Sequence, residues 1–171
     1  MTQSLTSELT EPQPAELPSN LSTLIGERAL FALARQAVDA VDARLPRWQR
    51  DPGGDAGPRT LLALLTYCYA AGTYASEDIE WACRHEEAAR YVGGNMCPDQ
   101  DRLRRFRRAN RPWIEQCLAW VLERVREQLH PTVGPLESRG AEPGNSSDLA
   151  FLQLARRRVT LATLMDSALA D

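Results

Sequence analysis

The sequence is poor in the residue types that most enzyme reactions need. It has two histidines, His85 and His130, in 171 residues, and His130 stands directly before Pro131, where a helix ends. It contains no Gly-x-Ser-x-Gly element, no phosphate-cradling glycine loop and no paired helical histidine motif. Gly93-Gly94 reads as a helix stop. No catalytic constellation is therefore expected, and the chain is read as something other than an enzyme. Close cysteine pairs are missing as well: Cys68, Cys83, Cys97 and Cys117 are at least fourteen residues apart. Zinc sites normally carry pairs such as Cys-x-x-Cys, so Cys83-Arg84-His85 with Cys97 is a poor ligand set, and the thiols are expected to act as small core hydrophobes. No metal and no cofactor is expected.

Long apolar runs are also lacking. None approaches the roughly 18 residues that a membrane span needs, and the polar N-terminus has no apolar leader segment. These absences lead to the expectation of a cytoplasmic protein with reduced thiols and no membrane partner. Global positive charge is absent too. The formal charge is −3 and the pI near 5.5, so any site for a polyanion must be local. No segment alternates with the period of a strand, and no internal repeat is found.

What is present is helical periodicity. With 43% hydrophobic and 25% charged residues, the chain suits one globular domain with a real core. Residues 1–20, rich in Ser, Thr, Glu and Pro, read as a disordered arm. Residues 21–130 read as a helical domain, 131–147 as a linker and 148–171 as a C-terminal helix. A first helix is expected from Ser22 to Ala43, with Leu24, Ile25, Leu30, Phe31, Ala34, Val38 and Val41 near helical spacing. Breaker residues make Leu45 to Pro58 a loop. Pro58 opens a second helix, closed by Gly72, in which Leu61, Leu62, Leu64, Leu65, Tyr67, Cys68 and Tyr69 leave almost no polar face. A helix apolar all round belongs at the centre of the core. Ser76 is placed to cap a third helix, to which Ile79, Trp81 and Ala82 lend apolar contacts. Trp113 and Trp120 are also expected in the core, and Trp48 is expected to pack under its loop or to stack on a base.

The stretch from Pro98 to Arg111 carries six arginines against two aspartates. Pro98 suits a first helical turn, and Asp99 or Asp101 suits its cap. At about 100° per residue, Asp99, Leu103, Phe106 and Asn110 share one face, so Arg104, Arg105 and Arg108 point away from it, with Arg102 and Arg107 on the flanks. A short helix and the turn Gly93–Cys97 precede this segment, which is the order of a helix-turn-helix with a basic second helix. Arginine's planar fork suits phosphate and guanine edges. The alternative is a solvated helix paired with acidic neighbours such as Glu77, Asp78, Glu80, Glu86 and Glu87. Arg102, Arg104, Arg105, Arg107, Arg108 and Arg111 are the candidate contacts to double-stranded DNA. A long helix follows, from Arg111-Pro112 to about Leu129. The last helix, with Leu149, Leu152, Ala155, Val159, Ala162 and Met165 on one face, is either a fold element or a surface for a protein partner or a second copy. The fold expected is all-α: a compact helical bundle with a helix-turn-helix-like unit, and a C-terminal helix after a linker.

Pro58-Arg59-Thr60-Leu61-Leu62-Ala63-Leu64-Leu65-Thr66-Tyr67-Cys68-Tyr69-Ala70-Ala71-Gly72 resembles the proline, paired leucines, Tyr-x-Tyr and glycine of the N-terminal helical domain of DDE insertion-sequence transposases (the InsH-type N-terminal domain). Ser76, Ile79-Glu80, Tyr91, Gly93-Gly94, Pro98-Asp99 and Phe106-Arg107-Arg108 continue the resemblance in order, over about Leu21 to Leu129. There are departures: Glu77 stands where that family often has arginine, and Arg102-Leu103 where it commonly has Thr-Ile. After the long helix, Thr132-Val133-Gly134-Pro135-Leu136 replaces the Asp-Gly-Thr-Lys type of segment that opens the catalytic triad. The resemblance thus implies DNA binding or assembly without strand transfer, in a regulatory protein or a truncated element. A protein–protein or dimerisation module without DNA binding is the rival reading.

Overall fold

The computed structural model describes residues 17–42, 57–129 and 146–169. Among them are seven helices and no strand: α1 Ser22–Ile25, α2 Glu27–Asp42, α3 Pro58–Ala70, α4 Ser76–His85, α5 Glu87–Val92, α6 Gln100–Leu129 and α7 Ser146–Ala168. The chain is all-α, as its periodicity predicts. Most of the expected N-terminal arm, the loop holding Trp48 and the body of the expected linker lie outside the described residues.

The centre of the molecule is α3. Pro58 opens it behind Gly57, and every residue from Leu61 to Ala70 is buried. Helices α2, α5, α6 and α7 all pack on it, which is what a helix without a polar face requires. The buried Thr66 hydroxyl is satisfied locally, Oγ1 donating to the Leu62 carbonyl at 2.7 Å, whereas the Tyr69 hydroxyl is buried with no hydrogen-bond partner among the described residues. Beyond Ala71 the chain reverses at Gly72, where φ is +86° and an added Cβ would stand 3.2 Å from the Ser19 carbonyl oxygen. Only glycine fits both the backbone angle and that approach.

Three local expectations are corrected. The single first helix breaks at Gly26, whose φ of +83° separates α1 from α2. Leu24, ahead of that break, is 41% exposed. In α4 the buried face is Ser76, Ile79, Ala82 and Cys83. Trp81 lies about 200° around the helix from Ile79, so it leaves the core, is 56% exposed and stacks on His85 with ring centroids 4.5 Å apart. The basic helix and the long helix, expected as two, are continuous as α6 across a kink at Asn110 (φ −120°, ψ 17°). Pro112 causes it, having no N–H for the carbonyl four residues back and a ring that crowds it. Trp113 and Trp120 are half-buried against the core.

Helix α7 runs antiparallel to α6. Successive cross-contacts pair Arg107 with Asp166, Arg111 with Thr160, Glu115 with Arg156, and Arg126 with Phe151. Phe151, Ala155, Val159 and Ala162 enter the same core as α3. Between them Arg158, 5% exposed, donates to the carbonyls of Pro18 (2.7 Å), Ser19 (3.0 Å) and Tyr69 (3.0 Å). Residues 17–20, assigned by composition to the arm, are therefore held against α7 and the end of α3. Leu21 N–H completes this anchor by donating to the Ala70 carbonyl at 2.9 Å.

Candidate functional site

The six candidate arginines sit on the first twelve residues of α6, and the helix start explains their order. Asp99 precedes the helix and accepts the Arg102 N–H at 2.7 Å, the cap expected of it. Glu80 of α4 accepts the Gln100 N–H at 3.1 Å. Two carboxylates thus face the positive end of the helix. Pro98 stands one residue ahead of the cap, buried, and so lies outside the first turn. The turn between α5 and α6 holds Gly94 at φ +64° and Asn95 at φ +62°.

Burial divides the arginines. Leu103, Arg107 and Asn110, at positions i, i+4 and i+7, form the inward stripe of this half of α6. Arg107 is thus not on a flank of a solvent-facing surface. It is 3% exposed, meets Asp166 Oδ2 at 2.7 Å, donates to Ser76 Oγ, and lies 5.8 Å from the centroid of the Tyr69 ring. Phe106, which shares less of that stripe, is half-buried. Arg107 is thus packed against Asp166 in the core rather than presented to solvent as a candidate duplex contact.

Arg104 and Arg111 are intermediate. The Arg104 side chain is 26% exposed, 3.5 Å from Asp101 and 3.5 Å from Asp166, and its Nε is buried with no hydrogen-bond partner among the described residues. Arg111 donates to Glu115 at 2.8 Å and to Thr160 Oγ1 at 2.7 Å while its side chain stays 43% exposed. Arg102 is half-exposed. Arg105 is exposed, its Nε donating to the Asp101 carbonyl at 3.4 Å. Arg108 is exposed and has no hydrogen bond or ion pair among the described residues. On α7, beside this surface, Arg156 is 58% exposed and Arg157 is exposed. Every one of the chain's twenty cationic side chains of lysine or arginine type is arginine, so each exposed positive charge is a planar fork.

The acids that meet these arginines lie within α6 and on α7. Glu80 goes to Arg84 and to the α6 start. Asp101, Glu115 and Asp166 take the arginines instead. Burial alone raises the Asp166 carboxyl. The Ser76 amide and hydroxyl and the Arg107 guanidinium outweigh that and hold it below the ordinary aspartate value of 3.8. Asp166 therefore stays ionised against Arg107. Arg158 shows the opposite balance, its burial lowering the guanidinium's value.

Among the described residues, no group of three or more His, Cys, Asp or Glu side chains converges as a metal site, and no helix is long and apolar enough to cross a membrane. Burial pushes the thiols of Cys83 and Cys117 up to about 12 and that of Cys68 well above its ordinary value. These are properties of packing groups rather than nucleophiles. The arrangement can thus offer positive forks to an anionic surface. No family model, curated protein or solved structure matches this chain.

Proposed function

We propose that the chain is a helical DNA-binding protein whose contact surface is the solvent-facing arginines of the first half of α6. The observation that carries this reading is the exposure of Arg105 and Arg108 on one helix, with Arg108 free of any partner among the described residues. A cation left unneutralised on an acidic chain favours a phosphate-bearing partner at that place. Arg102, Arg104 and Arg111 line the edge of the surface, and Arg156 and Arg157 extend it onto α7. The reading agrees with what the resemblance to transposase N-terminal domains implies, in a role without strand transfer.

The protein–protein reading has its own support. Leu149, Leu161 and Leu164 of α7, with Leu169 just beyond it, are between 42% and 61% exposed, which suits a partner helix or a second copy. Titrating random duplex DNA at a series of salt concentrations separates the two, because phosphate contacts release counterions. A steep fall of affinity with salt supports DNA contact. Absence of binding at low salt, with concentration-dependent dimerisation in sedimentation, favours the protein module.

A further inference from the structure

Between α6 and α7 an open cavity of about 260 Å³ is lined by Arg104, Arg107, Arg108, Thr163, Asp166 and Ser167. Three guanidiniums share this wall with one carboxylate. Asp166 is already committed, its oxygens accepting from Ser76 and Arg107. Asp101 is the other acid nearby, but its side chain is 79% exposed and stands 3.5 Å from Arg104. Among the described residues the buried Nε of Arg107 has no hydrogen-bond partner, the buried Nε of Arg104 stands 3.5 Å from Asp166 Oδ2 without a hydrogen bond, and Arg108 has no partner. A buried donor left unmade costs free energy, and the two residues that carry such donors line this opening together with the exposed Arg108. The cavity has room for about eight waters at about 30 Å³ each, more than a single small ion needs.

We propose that this seam is a binding site for a phosphate monoester. Its surplus of two positive charges matches the dianion, which carries about −1.5 to −2 at neutral pH, better than the single charge of a diester in a duplex backbone. Arginine supplies the geometry, since its fork holds two phosphate oxygens by parallel charge-assisted bonds. Arg107 is the fixed base of the site, oriented by Asp166. Arg104 and Arg108 close on the ligand from the helix surface. The group is either a terminal phosphate of a nucleic acid or a small soluble monoester. The site goes beyond the contact surface proposed above, because it needs no duplex.

Isothermal titration with methyl phosphate, at constant ionic strength balanced with chloride, tests the site directly. Saturable one-to-one binding is expected, with dimethyl phosphate binding at least about tenfold more weakly. Arg108→Ala and Arg104→Ala should each weaken methyl phosphate about tenfold or more, as loss of a charge-assisted bond does. Arg28→Ala on α2, which removes the same charge away from the cavity, should change nothing. Arg108 is exposed and unpaired, so its variant keeps the fold even if Arg104→Ala does not. Competition by a short duplex with a 5′-phosphate, and not by the 5′-hydroxyl form, assigns the ligand to a nucleic-acid end. Failure of both duplexes to compete assigns it to a small solute. Absence of saturation by methyl phosphate, equal binding of the diester, or an equal loss in Arg28→Ala overturns the proposal. Since no duplex enters the primary titration, its failure leaves the DNA reading to be judged by its own salt series.

Discussion

Asp166 accepts both the backbone N–H and the hydroxyl of Ser76, at 2.7 and 2.8 Å, and so caps α4 from a helix ninety residues further along the chain. Ser76, expected to cap that helix itself, is its first residue and is capped by another. The same carboxylate neutralises Arg107, so one side chain joins α4, α6 and α7. Asp166→Ala should leave Arg107 buried and unpaired and should cost about 3–5 kcal/mol in a denaturant melt. A loss below about 1 kcal/mol would show that Arg107 finds water or another partner.

The same carboxylate makes an acid-linked prediction. Its folded value is depressed, so its contribution is fully present above the unfolded aspartate value of about 3.9 and is lost as pH falls through the folded value. Stability measured from pH 6 downward should therefore decline below about pH 4 more steeply in the wild type than in Asp166→Asn. Parallel curves for the two proteins would contradict the assignment.

Neighbouring arginines should behave in opposite ways. Arg107→Ala should destabilise by several kcal/mol, about 3–5 as for a broken buried pair, while Arg108→Ala should stay within about 0.5 kcal/mol of the wild type. Equal melts for the two variants would place both side chains in solvent.

Removal of α7 tests whether it belongs to the core. A fragment ending at Leu129 loses Phe151, Ala155, Val159 and Ala162 from the core, together with the Arg158 and Asp166 anchors. It should melt without cooperativity, or at a midpoint far below the full chain's. An unchanged midpoint would make α7 a separable appendage.

Much of this was legible in the sequence, and the failures have physical reasons. The uniform apolarity of α3 announced its central place because no other position satisfies such a helix. The kink was legible from Arg111-Pro112, although proline bent α6 rather than ending it. Trp81 misled through its size: its angle from Ile79 already put it outside the buried stripe. Arg107 stands four residues after Leu103, about 40° off its face, and the wheel put it on a flank, because a lone charge is read as solvated until its partner is known. That partner, Asp166, lies in a helix whose own apolar face gave no sign of where it would dock. The wheel pointed Arg104, Arg105 and Arg108 outward together; Arg105 and Arg108 are exposed, while Arg104 is turned toward Asp166 with its Nε buried, and the α7 side of the cavity was not readable from a wheel of α6.

The most direct test of the contact surface is fluorescence anisotropy of duplex DNA with the wild type and an Arg105→Ala/Arg108→Ala variant over a salt series. Each phosphate contact contributes about 0.9 to the slope of log affinity against log salt, so the variant should bind more weakly and lose up to about two units of slope. Because both residues are exposed, its melt should match the wild type's. Equal affinity and slope for wild type and folded variant, or no wild-type binding at low salt, would contradict DNA contact through α6.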